Sequence, residues 1–121
     1  MRVEWIVNEH LPGLNPVQFG SERCAPSHAF GPAVRTHWLL HYVISGQGRF
    51  TREGETHPVH AGDIFVIPPY LETYYQADAQ NPWHYVWIGF TADARLPEAL
   101  RRPVLHYREA GAIFEEMRLC A

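Results

Sequence analysis

Histidine is the residue type in this chain that most readily suggests chemistry, because the sequence contains eight of them. His37 and His41 lie four residues apart, a spacing that on a helix presents two ligands to one zinc ion. A zinc protease of that kind needs glutamate directly after the first histidine, where this chain has Trp38. The neighbouring residues also predict a strand, on which the two histidines would lie about 13 Å apart. One zinc ion cannot bind both at about 2.0–2.1 Å, so we expect the pair to pack in or beside a β core.

The other candidate reactive groups are equally weak. Cys24 has no flanking helix or basic cluster that would activate its thiol. Gly46-Gln47-Gly48 lacks the third glycine and the following helix of a dinucleotide-binding loop. Four further histidines stand alone in predicted loops or at strand edges, and we expect them to be solvated: His28, His57, His60 and His84.

Aromatic residues offer a different chemistry, which is non-covalent binding. Trp83, Tyr85 and Trp87 occupy alternate positions, and alternation along a strand places all three on one face. Tryptophan and tyrosine combine a flat apolar body with a polar group, which suits sugar-like or aromatic ligands. Three large rings on one face indicate either a packed core or a lined pocket, and both interpretations remain open.

Short β-rich runs separated by turn residues must position these side chains. Within 58–90, breaks are predicted at Ala61-Gly62-Asp63, Pro68-Pro69 and Asn81-Pro82. Glu53-Gly54 is a predicted hairpin turn, and 25–32 is a predicted loop because of its glycine and prolines. Earlier strands are predicted at 17–24, 36–45, 49–52 and 56–59. This punctuation is typical of an antiparallel sandwich or barrel.

The end of the chain changes character. One helical turn is predicted within 96–102 and a last strand at 103–107. From Ala110 onward the apolar residues share one helical face, namely Ile113, Phe114, Met117 and Ala121. This helix has no stop signal, so we expect a fragment of a longer protein, with one domain at 1–109 and the start of a helical region at 110–121.

Composition limits the possible classes of function. A chain of 121 residues is long enough for one domain with a real core. The formal net charge of −3, the absence of lysine and the scattered arginines argue against specific nucleic-acid binding by this chain alone. No apolar run approaches the roughly 20 residues that span a bilayer, and the first residues lack a signal-peptide core. Cys24 and Cys120 are too few for a disulfide framework, so we expect a cytoplasmic protein with free thiols.

Five segments, taken together, resemble the N-terminal sensing domain of AraC-type transcription regulators. They are 24–35, 40–48, 61–69 (AGDIFVIPP), 73–78 and 82–90 (PWHYVWIGF), and the resemblance covers about positions 20 to 92. It implies an all-β cupin fold, which is a double-stranded β-helix or jelly roll, followed by the start of a C-terminal α-helix. It also implies that a helix-turn-helix DNA-binding domain lies beyond Ala121, outside this chain.

The same resemblance argues against a metal centre. Metal-dependent cupins supply two histidines and a glutamate from their first motif and another histidine from the second. This chain has Leu39 at the glutamate position, Ala33 and Arg35 near the first histidine positions, and Thr73 at the last histidine position. The resemblance therefore implies no metal and no cofactor, and binding of a small molecule in place of catalysis.

Arabinose-sensing members imply a set of pocket residues. Their sugar-lining tyrosine and tryptophan fall on Tyr75 and Trp87, and a histidine of those members is replaced by Tyr85. Arg35 is the nearest match to an arginine that contacts the sugar. The tryptophans would stack on the sugar ring and the polar groups would bond its hydroxyls. The predicted ligand-binding set is Arg35, His41, Tyr75, Trp83, Tyr85 and Trp87.

The expected function is that of an effector-binding domain. It would bind a sugar or polyol, expected to be a monosaccharide, inside the barrel, work as a homodimer without membrane contact, and control DNA binding by the missing domain. One alternative is a metal-dependent cupin enzyme, either a dioxygenase or a sugar isomerase. Another is a jelly roll without a pocket that serves only for dimerisation, which a barrel fully packed by Trp83, Tyr85 and Trp87 would favour.

Overall fold

The computed structural model describes residues 2–5, 14–92 and 98–106 of the chain. The described residues form ten β-strands and one short 3-10 helical turn at Glu98–Arg101. The strands are β1 (Arg2–Trp5), β2 (Leu14–Arg23), β3 (Ala29–Val34), β4 (Trp38–Ser45), β5 (Gln47–Arg52), β6 (Glu55–His60), β7 (Asp63–Ile67), β8 (Glu72–Ala77), β9 (His84–Ala92) and β10 (Val104–His106).

The strands form two sheets with antiparallel pairing throughout. A six-stranded sheet has the order β1-β2-β9-β4-β7-β10, and a four-stranded sheet has the order β3-β8-β5-β6. The chain crosses between the sheets at six connections, namely β2 to β3, β3 to β4, β4 to β5, β6 to β7, β7 to β8 and β8 to β9, so each sheet collects strands that are distant in sequence. This confirms the predicted all-β jelly roll. The predicted helix and domain boundary near residue 110 lie outside the described residues.

Strand alternation gives the six-stranded sheet two apolar faces. On β4, Leu39 and Val43 point into the barrel, while Tyr42 belongs to a second apolar cluster on the opposite face. Val66 on β7 and Val86 on β9 complete that second cluster and are fully buried. The strand predicted at 36–45 is therefore confirmed as β4, and both of its faces carry apolar side chains.

Close packing of the Trp83 ring against Phe65 and against the backbone at Gly48 fills one part of the barrel interior. The Trp83 ring stacks on Phe65 with centroids 5.2 Å apart, and Trp83 is only 1% exposed. A Cβ atom at Gly48 would collide with the Trp83 ring and with the carbonyl oxygen of Gln76. Glycine is therefore required at this position of β5 for steric reasons, because both neighbours are fixed by the core and by sheet pairing.

Replacing Gly48 by alanine is expected to destabilise the fold by about 1–3 kcal/mol, the usual range for overpacking a core. Arg49→Ala, at an exposed neighbouring position of the same strand, is a control and should stay within about 0.5 kcal/mol. Denaturant unfolding of both variants measures the difference. Equal stability of the two variants would show that the fold can accommodate a Cβ atom at position 48 without loss of stability.

Three sequence expectations are wrong in detail, and one of them is that His57 is solvated, since its Nε2 atom is buried. The predicted loop at 25–32 becomes the strand β3 from Ala29 onward, because Phe30 pairs with Tyr75 of β8. Its glycine and proline mark a register shift between Phe30 and Ala33, which is how an edge strand accommodates such residues. His84 was expected to be solvated but is 7% exposed, since it starts a strand that is paired on both sides, with Arg23 and with Ser45.

Other expectations hold. The Glu53-Gly54 hairpin joins β5 to β6, and both residues have positive φ, as a two-residue hairpin turn requires. The helical turn at Glu98–Arg101 and the strand Val104–His106 fall where the sequence predicts them. Within the described ranges, no helix has the length and apolar character that crossing a membrane requires.

Candidate ligand-binding site

A cavity of about 390 Å³ lies between the two sheets. Its volume falls within the range of small-molecule sites, which are mostly apolar with a few placed polar groups. The lining follows that description and comes from both sheets: Gln18, Glu22, His28, Phe30, Arg35, Leu39, His41, Tyr75, Tyr85 and Trp87. The barrel is therefore not filled by its own aromatic side chains.

Strand register explains why the cavity residues of the six-stranded sheet meet. Strand β9 lies between β2 and β4, so Trp87 is opposite His41 on one side and Gly20 on the other. Tyr85, two residues earlier, is opposite Glu22. Residues two apart on a strand share a face, so these side chains reach the interior together. Gly20 contributes no side chain beside the Trp87 ring.

The four-stranded sheet supplies the opposite side of the cavity. The Phe30 ring stacks on Tyr75 with centroids 5.6 Å apart. The guanidinium carbon of Arg35 lies 4.1 Å from the centroid of Phe30, and the Arg35 guanidinium donates a hydrogen bond of 3.4 Å to the Tyr75 hydroxyl. Two aromatic residues thus hold Arg35 in place, and the hydrogen bond to Tyr75 uses one of its five N–H donors.

His41 lies at the centre of the aromatic lining and is only 3% exposed. Its ring stacks on Phe65 at 4.5 Å and meets the edge of Tyr85 at 4.8 Å. Burial, followed by the charge of Arg35, holds the pKa of His41 well below its usual value of 6.5, so the imidazole is neutral at physiological pH. Within the described structure its Nδ1 atom is buried without a hydrogen-bond partner, which is rare for a buried polar group.

Two tyrosine hydroxyls and one thiol lie in the same buried cluster beside His41, on Tyr75, Tyr85 and Cys24. Tyr85 lies close enough to Tyr75 and to Cys24 to influence the pKa of both. Burial is the main cause that raises the pKa of Tyr75 to about 12, that of Cys24 to about 11 and that of Tyr85 above its usual range. All three groups therefore stay protonated and act as neutral hydrogen-bonding groups. A protonated Cys24 thiol is a poor nucleophile.

The structure brings five of the six predicted site residues together at the cavity: Arg35, His41, Tyr75, Tyr85 and Trp87. Trp83 does not line it. Trp83, Tyr85 and Trp87 all belong to the interior cluster, so the prediction that they share a face is confirmed. Alternation determines the face of a strand but not the depth along the barrel, and Trp83 lies where Phe65 and Gly48 leave no space.

Five lining residues were not expected from the sequence: Gln18, Glu22, His28, Phe30 and Leu39. Gln18 and Glu22 could have been found by counting back in twos from the buried Cys24 along β2. Phe30 was assigned to a loop, and His28 was treated only as a solvated side chain. Leu39 was considered only as the residue that replaces a metal-binding glutamate.

Potential metal ligands do not converge in the described part of the chain, which contains no group of three or more His, Cys, Asp or Glu residues able to hold an ion. Leu39 and Thr73, at two positions where metal-dependent cupins carry ligands, are 2% and 4% exposed. A buried leucine side chain offers no donor atom to a metal. His37 and His41 lie at or beside the β core, half-buried and buried respectively, as the sequence predicts.

Acid is expected to destabilise the protein through His41. The native pKa is lower than the unfolded value of about 6.5, so the unfolded chain takes up a proton that the native state does not. The contribution to stability is therefore complete above about pH 6.5 and is lost as the pH falls towards the native pKa. For one such group, the free energy of unfolding falls by up to about 1.4 kcal/mol for each pH unit of acidification.

Unfolding free energies of the wild type and of His41→Phe, compared between about pH 7 and pH 5, measure this contribution. The variant should lose less stability than the wild type over that interval. An identical acid dependence for both proteins would contradict the assignment of a neutral, buried His41.

A two-sheet jelly roll with an aromatic-lined cavity between its sheets is the architecture of a cupin-type domain. The chain belongs to the AraC-like ligand binding domain family, which matches residues 15–120.

Curated relatives are regulators of operons. The chain is 35% identical over 109 residues to the Msm operon regulatory protein of Streptococcus mutans, covering 86% of this chain and 39% of that protein. It is 39% identical over 95 residues to the Raffinose operon transcriptional regulatory protein of Pediococcus pentosaceus, covering 75% and 34%. It is 34% identical over 90 residues to the Lactose operon transcription activator of Staphylococcus xylosus, covering 74% and 32%. The chain thus spans between about a third and two fifths of these relatives.

Solved structures support the fold. The protein YhaK from Escherichia coli has a TM-score of 0.67 at 14% identity, covering 87% of this chain and 49% of that one. A cupin protein from Bacteroides fragilis has a TM-score of 0.51 at 22% identity, covering 75% and 80%. A salicylate 1,2-dioxygenase from Pseudaminobacter salicylatoxidans has a TM-score of 0.52 at 22% identity, covering 65% and 21%. At these identities the similarity is one of fold.

Proposed function

We propose that this chain is the effector-binding domain of a bacterial transcription regulator and binds a small sugar or polyol in the cavity between its sheets. The observation that carries the proposal is the cavity itself, where polar side chains and aromatic rings from both sheets converge. Such a lining suits a ligand that combines an apolar ring face with several hydroxyl groups. Two relatives take their names from the raffinose and lactose operons, which supports a saccharide.

The lining residues divide into two roles. Trp87 would contact the apolar C–H face of a sugar ring. Arg35, Tyr75 and Tyr85 would bond to hydroxyls along with His41, because each lines the cavity and has a polar side-chain group. Trp83 is left out of this set because it packs in the core. The cavity would hold a monosaccharide, or one terminal ring of a longer saccharide such as lactose or raffinose.

Ligand binding would act on the arrangement of domains in the complete regulator. The cavity residues come from both sheets, so one bound sugar would connect Trp87 on β9 with Tyr75 on β8. A ligand shifts an equilibrium only when it binds the two states with different affinities. The proposed output is altered DNA binding by a domain outside this chain, in a homodimer.

An enzymatic role is not favoured. The relatives are transcription regulators, and the Cys24 thiol is held in its protonated form. The similarity to a salicylate dioxygenase is one of fold, and the described residues bring no set of metal ligands together. A binding site for a small molecule accounts for the lining without a catalytic group.

Thermal unfolding with a saccharide panel tests the proposal. D-galactose, lactose and raffinose are the first probes, each added at increasing concentration. A ligand at a hundred times its dissociation constant stabilises the native state by about 2.7 kcal/mol, so the unfolding temperature should rise with concentration for at least one sugar. Failure of every saccharide, with stabilisation by a divalent metal instead, would favour the cupin-enzyme alternative.

A further inference from the structure

Glu22 is the carboxylate among the described lining residues of the cavity. It lies on β2 directly opposite Tyr85, and its side chain is 23% exposed. One of its oxygens lies 3.7 Å from Nε2 of His28, another lining residue. Its negative charge also contributes to raising the pKa of both Cys24 and Tyr85, which shows that its field reaches the buried interior.

Arg35 provides the opposite charge from the other sheet. It follows directly after β3, and its positive charge acts on two neighbours. It adds to the effect of burial in lowering the pKa of His41, and it opposes part of the rise that burial causes in the pKa of Tyr75. The cavity lining thus carries one anionic side chain beside Tyr85 and one cationic side chain beside Tyr75. Each already has neighbours, because Glu22 lies near His28 while Arg35 contacts Phe30 and Tyr75.

A ligand must be compatible with both side chains at once. A hydroxyl group can donate to a carboxylate and can accept from a guanidinium, so an uncharged polyol can satisfy Glu22 and Arg35 together. An anionic ligand gains an interaction with Arg35 but places like charge near Glu22. Repulsion of a competitor is a common basis of specificity.

We propose that Glu22 accepts hydrogen bonds from hydroxyl groups of the ligand and, together with Arg35, restricts the cavity to uncharged saccharides over sugar acids and sugar phosphates. The inference rests on the proposed function, since it concerns the ligand of the same cavity. Glu22 is on this account a specificity-determining residue, and it lies outside the set that the sequence predicts.

Matched pairs of sugars test this selectivity: D-galactose with D-galacturonate, and D-glucose with D-glucuronate. Each pair differs by oxidation of one carbon, so size and ring shape stay nearly constant. Calorimetric titration of the 121-residue chain should give an affinity for the neutral member of at least one pair that exceeds that for its acid by about tenfold or more, the usual weight of an interaction with a charged group.

Glu22→Gln is expected to weaken binding of the neutral sugar and to reduce its preference over the acid by about tenfold, because the variant keeps the shape of the side chain and removes its charge. Glu72→Gln is the matched control, an exposed carboxylate on β8 outside the lining, and should change neither affinity. The unfolding temperature of each variant establishes that it is folded. The ratio of the two affinities in the wild type tests the selectivity even if a variant does not fold.

Three results would overturn the inference, and they differ in what they leave intact. Equal or tighter binding of the acid by the wild type would refute the selectivity while leaving a sugar-binding cavity in place. An unchanged ratio in Glu22→Gln would assign the selectivity to another residue. Binding of no member of either pair, and of neither lactose nor raffinose, would refute the proposed function together with the inference.

Discussion

Trp83→Ala is expected to destabilise the fold by about 3–5 kcal/mol, whereas Trp87→Ala should mainly remove ligand affinity. Both tryptophans face the barrel interior, at 1% and 7% exposure, but only Trp87 lines the cavity. Truncating Trp83 would create a new void beside Phe65. Truncating Trp87 would enlarge a space that already exists and would remove apolar contact worth about 1.5–3 kcal/mol to a bound ring, which is about ten- to a hundredfold in affinity.

Denaturant unfolding and sugar titration of the two variants, measured side by side, separate core packing from ligand contact. Each variant serves as the control for the other, since both remove the same side chain from the same region of the chain. Trp87→Ala with a loss of stability as large as that of Trp83→Ala, and with unchanged affinity, would assign both residues to the core.

His41→Phe is expected to keep or raise the unfolding free energy while weakening ligand binding by about tenfold or more. Phenylalanine is somewhat larger, but it is also a flat ring that can stack on Phe65, and the cavity beside His41 can take the extra volume. It also removes the buried, unpartnered Nδ1 atom, and an unsatisfied group of that kind costs about 1–3 kcal/mol. A stable variant with lost function is the expected signature of a residue kept for binding.

His57→Phe is the matched control for that experiment. Its Nε2 atom is also buried without a hydrogen-bond partner within the described residues, although a Glu55 carboxylate oxygen lies 3.6 Å away. His57 lies on β6, away from the cavity lining. This variant should leave sugar affinity unchanged. Native affinity in His41→Phe, or an equal loss of affinity in both variants, would contradict a direct contact between His41 and the ligand.

The fold could be predicted from the sequence because its turn signals are local. Glu53-Gly54 and the proline pair after β7 mark chain reversals and strand ends whatever the rest of the chain does. Strand β3 was missed for the opposite reason. Its glycine and proline are compatible with a strand only because β8 pairs with it across a register shift, and that pairing joins residues about forty positions apart.

The candidate site could also be predicted only in part from the sequence. Family resemblance and alternation predicted the inward face of β9, but alternation carries no information about depth, so Trp83 could not be distinguished from Trp87. Glu22 enters the cavity because β2 pairs with β9 in the register that places it opposite Tyr85. The burial of His84 likewise depends on pairing on two sides. Contacts of this kind follow from tertiary structure and leave little trace in a single sequence.

The central claim is that a sugar occupies the cavity and contacts both sheets. The most direct test is an NMR measurement of intermolecular nuclear Overhauser effects with the saccharide that gives the largest thermal stabilisation. We expect signals from the C–H protons of the sugar ring to the rings of Trp87 on one sheet and of Phe30 or Tyr75 on the other. Signals confined to exposed residues outside the lining, such as Tyr70 and Val34, with none to Trp87, would contradict the account.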